Sequence, residues 1–234
     1  VCNSLNRSYE IIFVDDGSTD RTPLLLEEMS DKDSRVKVLR FSRNFGHQAA
    51  FNAGIDFAAG DMVITMDGDL QHPPHLIPEF IKYAEDGFDI VIGERISNKQ
   101  NSLARELTGR MIYRFLSAMS GLEFRNSSDF ALYNRRVISV LKRMPEKERF
   151  LRGMIQWVGF NKKYVLYVAQ KRKAGKAKYN FRKLEGMVMS GVTSFSAFHF
   201  RLVFWCGLVV LAISMGLSVY VIWDHYVNPN PFIA

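Results

Sequence analysis

The 234-residue chain has only two cysteines, Cys2 near its start and Cys206 inside an apolar run, so neither a disulfide framework nor a cysteine zinc site is available. Proline is scarce, at 7 residues, and no low-complexity run occurs; with 13% aromatics, this excludes a disordered tail. Residues 1 to 30 hold no basic stretch followed by an apolar one, so no secretory leader is expected among them. No Gly-x-Gly-x-x-Gly follows the first apolar run, and no Gly-x-x-x-x-Gly-Lys-Ser/Thr occurs anywhere. Dinucleotide and P-loop readings therefore have no support.

Charge is missing from one long segment. The 22 residues from Leu202 to Trp223 carry none, and at about 1.5 Å per residue they are long enough to cross a hydrocarbon core of roughly 30 Å. A wholly soluble protein is disfavoured. Arg182, Lys183 and Arg201 precede the segment, whereas Asp224 and His225 follow it with no Lys or Arg beyond. The positive-inside rule then puts the preceding domain in the cytoplasm and the tail, 224–234, outside. Residues 181–201 mix Met, Val and Phe with Ser and Gly, which suits a juxtamembrane helix lying in the interface.

Charges elsewhere are divided by sign. Up to and including Arg95 there are 9 basic and 17 acidic residues, a balance of −8; beyond it there are 22 and 7, a balance of +15. Between Arg135 and Lys183 lie 16 Lys and Arg against Glu146 and Glu148. Such a patch is drawn to an anionic leaflet by about 1 kcal/mol per residue. Nucleic acid is the rival partner for positive charge, but an adjacent membrane span and the lack of a nucleic-acid motif set it aside.

The first 180 residues alternate β-branched runs with helical stretches. Strands are expected at 10–14, 36–41, 61–66, 89–93 and 164–169, with a turn entering another strand over 127–133. Helices are expected from a Ser18 or Thr19 cap to about Met29, over 46–59, 76–85, and over 102–119 with Arg105 and Arg110 on it. This order predicts an α/β domain with a mostly parallel sheet covered on both faces. Ligands of such sheets bind beyond the carboxyl ends of the strands, where Asp15, Asp16, Asp67, Asp69 and Arg95 fall.

Asp67-x-Asp69 with Gln71 places three oxygen ligands on one short loop, a hard set that suits Mg²⁺ or Mn²⁺. His47, His72 and His75 are expected to be loop or surface histidines rather than a metal set with a carboxylate pair, with His72 close enough to that loop to touch a substrate.

Several segments, in this order, carry a family resemblance: Phe13-Val-Asp-Asp-Gly-Ser-Thr-Asp-Arg-Thr22, Ser42-Arg-Asn-Phe-Gly46, Ala53-Gly54, Gly60-Asp61 and Asp67-Gly-Asp-Leu-Gln-His-Pro-Pro74. They are followed by Ser128-Asp-Phe130, Arg149-Phe-Leu-Arg-Gly153 with Trp157-x-Gly159, and Arg172-x-x-Gly175-Lys-x-Lys178-Tyr179. Together they resemble the family 2 glycosyltransferases of GT-A fold, and within them the polyprenyl-phosphate group. The resemblance implies a bacterial integral membrane enzyme, its catalytic domain cytoplasmic, that moves one sugar from a UDP- or GDP-hexose to undecaprenyl or dolichyl phosphate with inversion. It implies that Asp15, Asp16, Arg43, Gly46 and Asp67 bind the nucleotide sugar, and that Asp67, Asp69 and Gln71 hold the metal. Arg95, Arg105, Arg110, Arg172 and Lys178 match positions for the acceptor phosphate, and Asp69, Arg95 and Asp129 match the catalytic positions. For Asp129, orienting a substrate and a structural hydrogen-bonding role both stay open. A homo-oligomer is a further option.

The acceptor is already ionised at neutral pH, so a strong general base is not required, and positioning and charge neutralisation carry the rate. Family members also begin with an additional strand and commonly carry a second C-terminal span, so the sequence is expected to be shortened at both ends. Two alternatives share part of the pattern. A processive polysaccharide synthase needs a Gln-x-x-Arg-Trp-like segment that residues 190–200 do not contain. A non-catalytic membrane scaffold would have no need of Asp67, Asp69, Gln71 and the arginines.

Overall fold

The computed structural model describes residues 1, 4–96, 127–145, 151–168 and 198–227. Strand β1 (Ile11–Asp15) is followed by α1 (Thr22–Lys32), β2 (Val36–Arg40), α2 (His47–Phe57) and β3 (Met62–Thr65). A 3₁₀ turn at Pro74–Leu76 leads into α3 (Ile77–Glu85) and then β4 (Ile90–Ile96). After these come β5 (Ser127–Asn134), α4 (Arg135–Arg143), α5 (Leu151–Trp157), β6 (Lys162–Val168) and the long α6 (Phe198–Val227).

Strands β1 and β2 pair in parallel, and the other four form a sheet in the order β3-β5-β4-β6. Here β3 and β4 are both antiparallel to β5, and β6 is parallel to β4. Three strands thus share one direction, with the reversed β5 wedged between two of them. The sheet is mixed, and this reversal decides where the site forms. Because β5 runs backwards, its first residues lie beside the last residues of β3, in a register that pairs Thr65 with Ala131. Two steps further along each chain, Asp67 and Asp129 come face to face.

Both faces of the sheet are covered, as the continuous apolar strands require. On β5, Ala131 and Tyr133 enter one core with Ile90 and Ile92 of β4, beneath α2, α4 and α5. Phe130 and Leu132 point the other way and join Val91, Val165 and Phe80 of α3. The alternation follows the two-residue period of a strand.

Local differences from the expected pattern have physical causes. Helix α1 begins at Thr22 without a side-chain cap, because Ser18 belongs to the preceding turn, where its N–H donates to Asp15 Oδ1 at 2.9 Å. Asp20 Oδ1 takes the Thr22 N–H instead. Helix α6 runs on through Asp224 to Val227. The side chains of Val203–Val227, a stretch apolar enough to cross a membrane, are exposed rather than buried in a core.

Candidate functional site

At the end of β1 the chain turns sharply at Gly17, whose φ is +70°. A Cβ there would lie 2.4 Å from the Arg43 carbonyl carbon and 2.6 Å from the Asn44 nitrogen, so only glycine lets this turn pack on the 42–46 loop. The close approach lets Asp16 accept the backbone N–H groups of Phe45 at 2.7 Å and Gly46 at 3.0 Å. Asp16 therefore ties the loop in front of α2, and the Arg43 guanidinium lies 4.2 Å above the Phe45 ring. Asp15 is buried; its Oδ1 accepts from Ser18, but its Oδ2 is sealed from solvent without a hydrogen-bond partner. Arg40 comes no closer to it than 3.8 Å. A buried carboxylate oxygen in this state is costly unless a ligand donor meets it.

The end of β3 is built differently. Asp67 keeps 37% of its side chain exposed, and Asp69 is half-buried. Asp69 Oδ1 accepts the backbone N–H of Gln71 at 3.1 Å, and Leu70 between them has a φ of +63°. Arg95 is exposed near the end of β4, at the same sheet edge. Arg105, Arg110, Arg172 and Lys178 lie outside the described residues.

Facing this loop, the start of β5 presents Asp129, which is 8% exposed. Arg152 of α5 grips both its oxygens, Nε to Oδ1 and Nη2 to Oδ2, each at 2.8 Å. His47, the first residue of α2, places Nε2 2.9 Å from Asp129 Oδ2 and 4.0 Å from Asp67 Oδ1. Burial pushes the Asp129 carboxyl up, but the hydrogen bonds and charges of His47 and Arg152 outweigh it and hold the group well below the usual carboxylate range. The bond to Asp129 raises the His47 pKa against a smaller opposing effect of burial, with the Asp129 and Asp67 charges adding to the rise.

Sequence reasoning misses this chain of contacts. His47 is not an isolated loop histidine, because its ligand atom and those of Asp67 and Asp129 all lie within 4.8 Å of one another, a group able to hold a metal ion among the described residues. Arg152 neutralises the Asp129 corner of that group, so the more open donors for a cation are the hard oxygens of Asp67 and Asp69. His72 is not on the surface either: it is 4% exposed and stacked against Phe130. Its place in Leu-Gln-His-Pro-Pro gives no periodic signal of burial. Arg152 enters the sequence reading only within the Arg149-Phe-Leu-Arg-Gly153 segment, with no role of its own, and its partner is 23 positions away.

A cavity of about 10 Å³ lies beside Asp129, lined by Phe51, Ile92, Tyr133, Leu151 and Arg152. It has room for about one water and not for a sugar.

The family and the fold are both matched among known proteins. Residues 1–142 match the sequence profile of Glycosyl transferase family 2. The chain belongs to that family. It is 40% identical over 90% of its length to an uncharacterized glycosyltransferase, YkcC, of Bacillus subtilis, of which it covers 65%. It is 36% identical over 95% of its length to the bactoprenol glucosyl transferase of Shigella phage SfV, covering 73% of that protein. The chain thus spans just under two-thirds of the first relative and somewhat more of the second. Among solved structures, glucosyl-3-phosphoglycerate synthase from Mycobacterium tuberculosis shares the fold with a TM-score of 0.55 at 19% identity, over 80% of this chain and 67% of that one. A second structure of that enzyme, with Mn²⁺, UDP-glucose and phosphoglyceric acid, gives 0.53 over 77% and 65%. The GT-A-like α/β architecture of family 2 is thereby established for this chain, with β5 as its reversed strand.

Proposed function

We propose that this chain is the catalytic part of a membrane-bound, inverting transferase that moves one hexose from a nucleotide diphosphate sugar to a polyprenyl phosphate. The observation that carries the proposal is the row of unlike carboxylates at the strand ends. Asp15, whose buried Oδ2 makes no hydrogen bond and lies 3.8 Å from Arg40, marks the end of β1 where a base or ribose would bind, Asp67 and Asp69 offer partly exposed oxygens to a cation and diphosphate, and Arg95 supplies positive charge at the same edge. Likeness to bactoprenol glucosyl transferases supports a polyprenyl phosphate as acceptor.

Asp67, Asp69 and Gln71 would hold Mg²⁺ or Mn²⁺, and their hard oxygens fit such an ion. When bound, the cation neutralises charge on the diphosphate leaving group. Asp16 and Gly17 set the 42–46 loop against which the nucleotide lies. Asp129, held ionised by Arg152, serves as a positioning residue that aims His47 at the Asp67 side of the site, rather than as the proton acceptor. Arg95, with Arg105, Arg110, Arg172 and Lys178, binds the acceptor phosphate.

The domain, residues 1–180, sits on the cytoplasmic face of a bacterial membrane, with residues 181–201 in the interface and 202–223 spanning it; the exposed apolar surface of α6 supports the span, and the excess of Lys and Arg before it supports the orientation. Labelled sugar from UDP- or GDP-hexose, supplied with polyprenyl phosphate and Mn²⁺, should appear in the lipid fraction. Transfer that is unaffected by Asp69→Ala would refute the metal assignment, and no transfer from any sugar nucleotide by the intact protein would refute the function.

A further inference from the structure

The loop from Asp67 to His72 closes on itself through an imidazole. Past Thr65 the β3 ladder ends, and the Asp67 N–H donates to His72 Nδ1 at 2.9 Å. A ring nitrogen that accepts this bond carries no proton, so the ring's own N–H is Nε2. That nitrogen stands 3.7 Å from Asp67 Oδ2. One side chain thus bonds the backbone of Asp67 and stands 3.7 Å from its carboxylate.

The ring is held firmly. It lies flat against Phe130, 5.2 Å between centroids at 13°, and meets the edge of Tyr167 at 5.9 Å. Phe130 stacks in turn on Phe80 at 4.6 Å. Gly93 of β4 makes room for this column, since a Cβ there would lie 3.0 Å from Tyr167 and 3.1 Å from Phe130. Within the loop, Gly68 faces open space and Leu70 sits at positive φ. A burial role alone would be met by any flat apolar ring and would not need a nitrogen aimed at Asp67.

We propose that His72 is a positioning residue that transmits the rigidity of the Phe80–Phe130 column to Asp67 and so fixes its carboxylate for the donor's divalent cation and diphosphate. This rests on the reading of Asp67 as a ligand given above. Partners of this kind, one step behind a metal ligand, typically change metal affinity 10- to 100-fold when removed.

The test uses the full chain in detergent, with Mn²⁺ as the probe and no sugar nucleotide, following free Mn²⁺ by electron paramagnetic resonance and the fold by thermal unfolding. H72F keeps a flat ring and loses both nitrogens; H72Q loses the acceptor near Nδ1; H72N retains an acceptor there. H72F and H72Q should weaken Mn²⁺ binding by about tenfold or more, while H72N, which keeps the acceptor but not the ring stacked on Phe130, should weaken it less than either. Should H72F fail to fold, the contrast between H72N and H72Q decides. Wild-type affinity in H72F or H72Q, or equal loss in H72N and H72Q, overturns the positioning role and leaves the ligand reading standing. If wild type itself binds no Mn²⁺, both fall.

Discussion

Asp67 at the end of β3 and Asp129 at the start of β5 flank the same imidazole, yet their surroundings are opposite. Asp129 is 8% exposed, gripped at both oxygens by Arg152 and bonded to His47. Asp67 keeps 37% of its side chain exposed and has histidines at 4.0 and 3.7 Å rather than a guanidinium. A buried carboxylate must bring its counter-charge from within the protein, whereas a half-exposed one can leave that place to a ligand. The difference separates an anchor from a ligand, although both residues are the same amino acid at facing ends of neighbouring strands.

The largest effect should come from the ligand side. Asp67→Ala or Asp69→Ala should lower sugar transfer by about 100-fold or more, the scale seen when a group stabilising developing charge is removed, while the unfolding midpoint hardly moves. Labelled-sugar transfer and thermal unfolding on the same preparations check this. Loss of folding in either variant would make Asp67 and Asp69 anchors too and would dissolve the contrast.

On the anchor side the order of effects reverses. Asp129→Asn leaves the Arg152 guanidinium, 23% exposed, without its carboxylate, and breaking such a buried pair costs about 3 kcal/mol. Denaturant unfolding should show that loss, and Asp129→Asn combined with Arg152→Met should recover much of it. A double variant as unstable as the single one would mean that Asp129 acts through something other than this pair.

The same network predicts the pH response, measured with chelator present. Asp129 has its folded pKa depressed below 3.8, so its contribution is complete above that pH and is lost as pH falls further toward the folded value. His47 has its pKa raised above 6.5, so its contribution is complete below 6.5 and is lost as pH rises through the folded value. The stability difference between wild type and Asp129→Asn should therefore be greatest between these limits and shrink on both sides. An alkaline side that stays flat would show that the positive charge of His47 adds nothing to its bond with Asp129.

How much of this was legible in the sequence depends on distance along the chain. The strand-end acids Asp15, Asp16, Asp67 and Asp69 could be found because each pair begins where an apolar run stops, a purely local signal. The anchor could not, because it joins His47, Asp129 and Arg152, separated by 82 and 23 positions, and exists only because β5 is reversed. No local pattern encodes strand direction. The basic half of the chain is divided between two uses for a related reason. Within it, Arg135 donates to the Ala58 carbonyl, Lys142 to the Asp56 carbonyl and Lys162 to Gln156, and Arg152 to Asp129, so part of a charge that reads as a membrane-facing patch is used inside the fold. The first two meet the C-terminal end of α2, where positive charge is favoured by the helix dipole.

The smallest expected effect tests whether the open loop is strained for a purpose. Leu70 holds φ at +63° with its side chain 51% exposed, a conformation that costs a residue with a Cβ about 1–2 kcal/mol. Glycine removes that cost but adds about 0.5–1 kcal/mol of backbone entropy to be lost on folding. Leu70→Gly should thus leave stability unchanged or raise it by up to about 1 kcal/mol. If the strain serves only to turn the chain, Mn²⁺ affinity and sugar transfer will be untouched. If Leu70 limits where Asp67 and Asp69 can point, both will weaken while the unfolding midpoint holds or rises, an outcome that places rigidity, and not exposure alone, on the ligand side of the comparison.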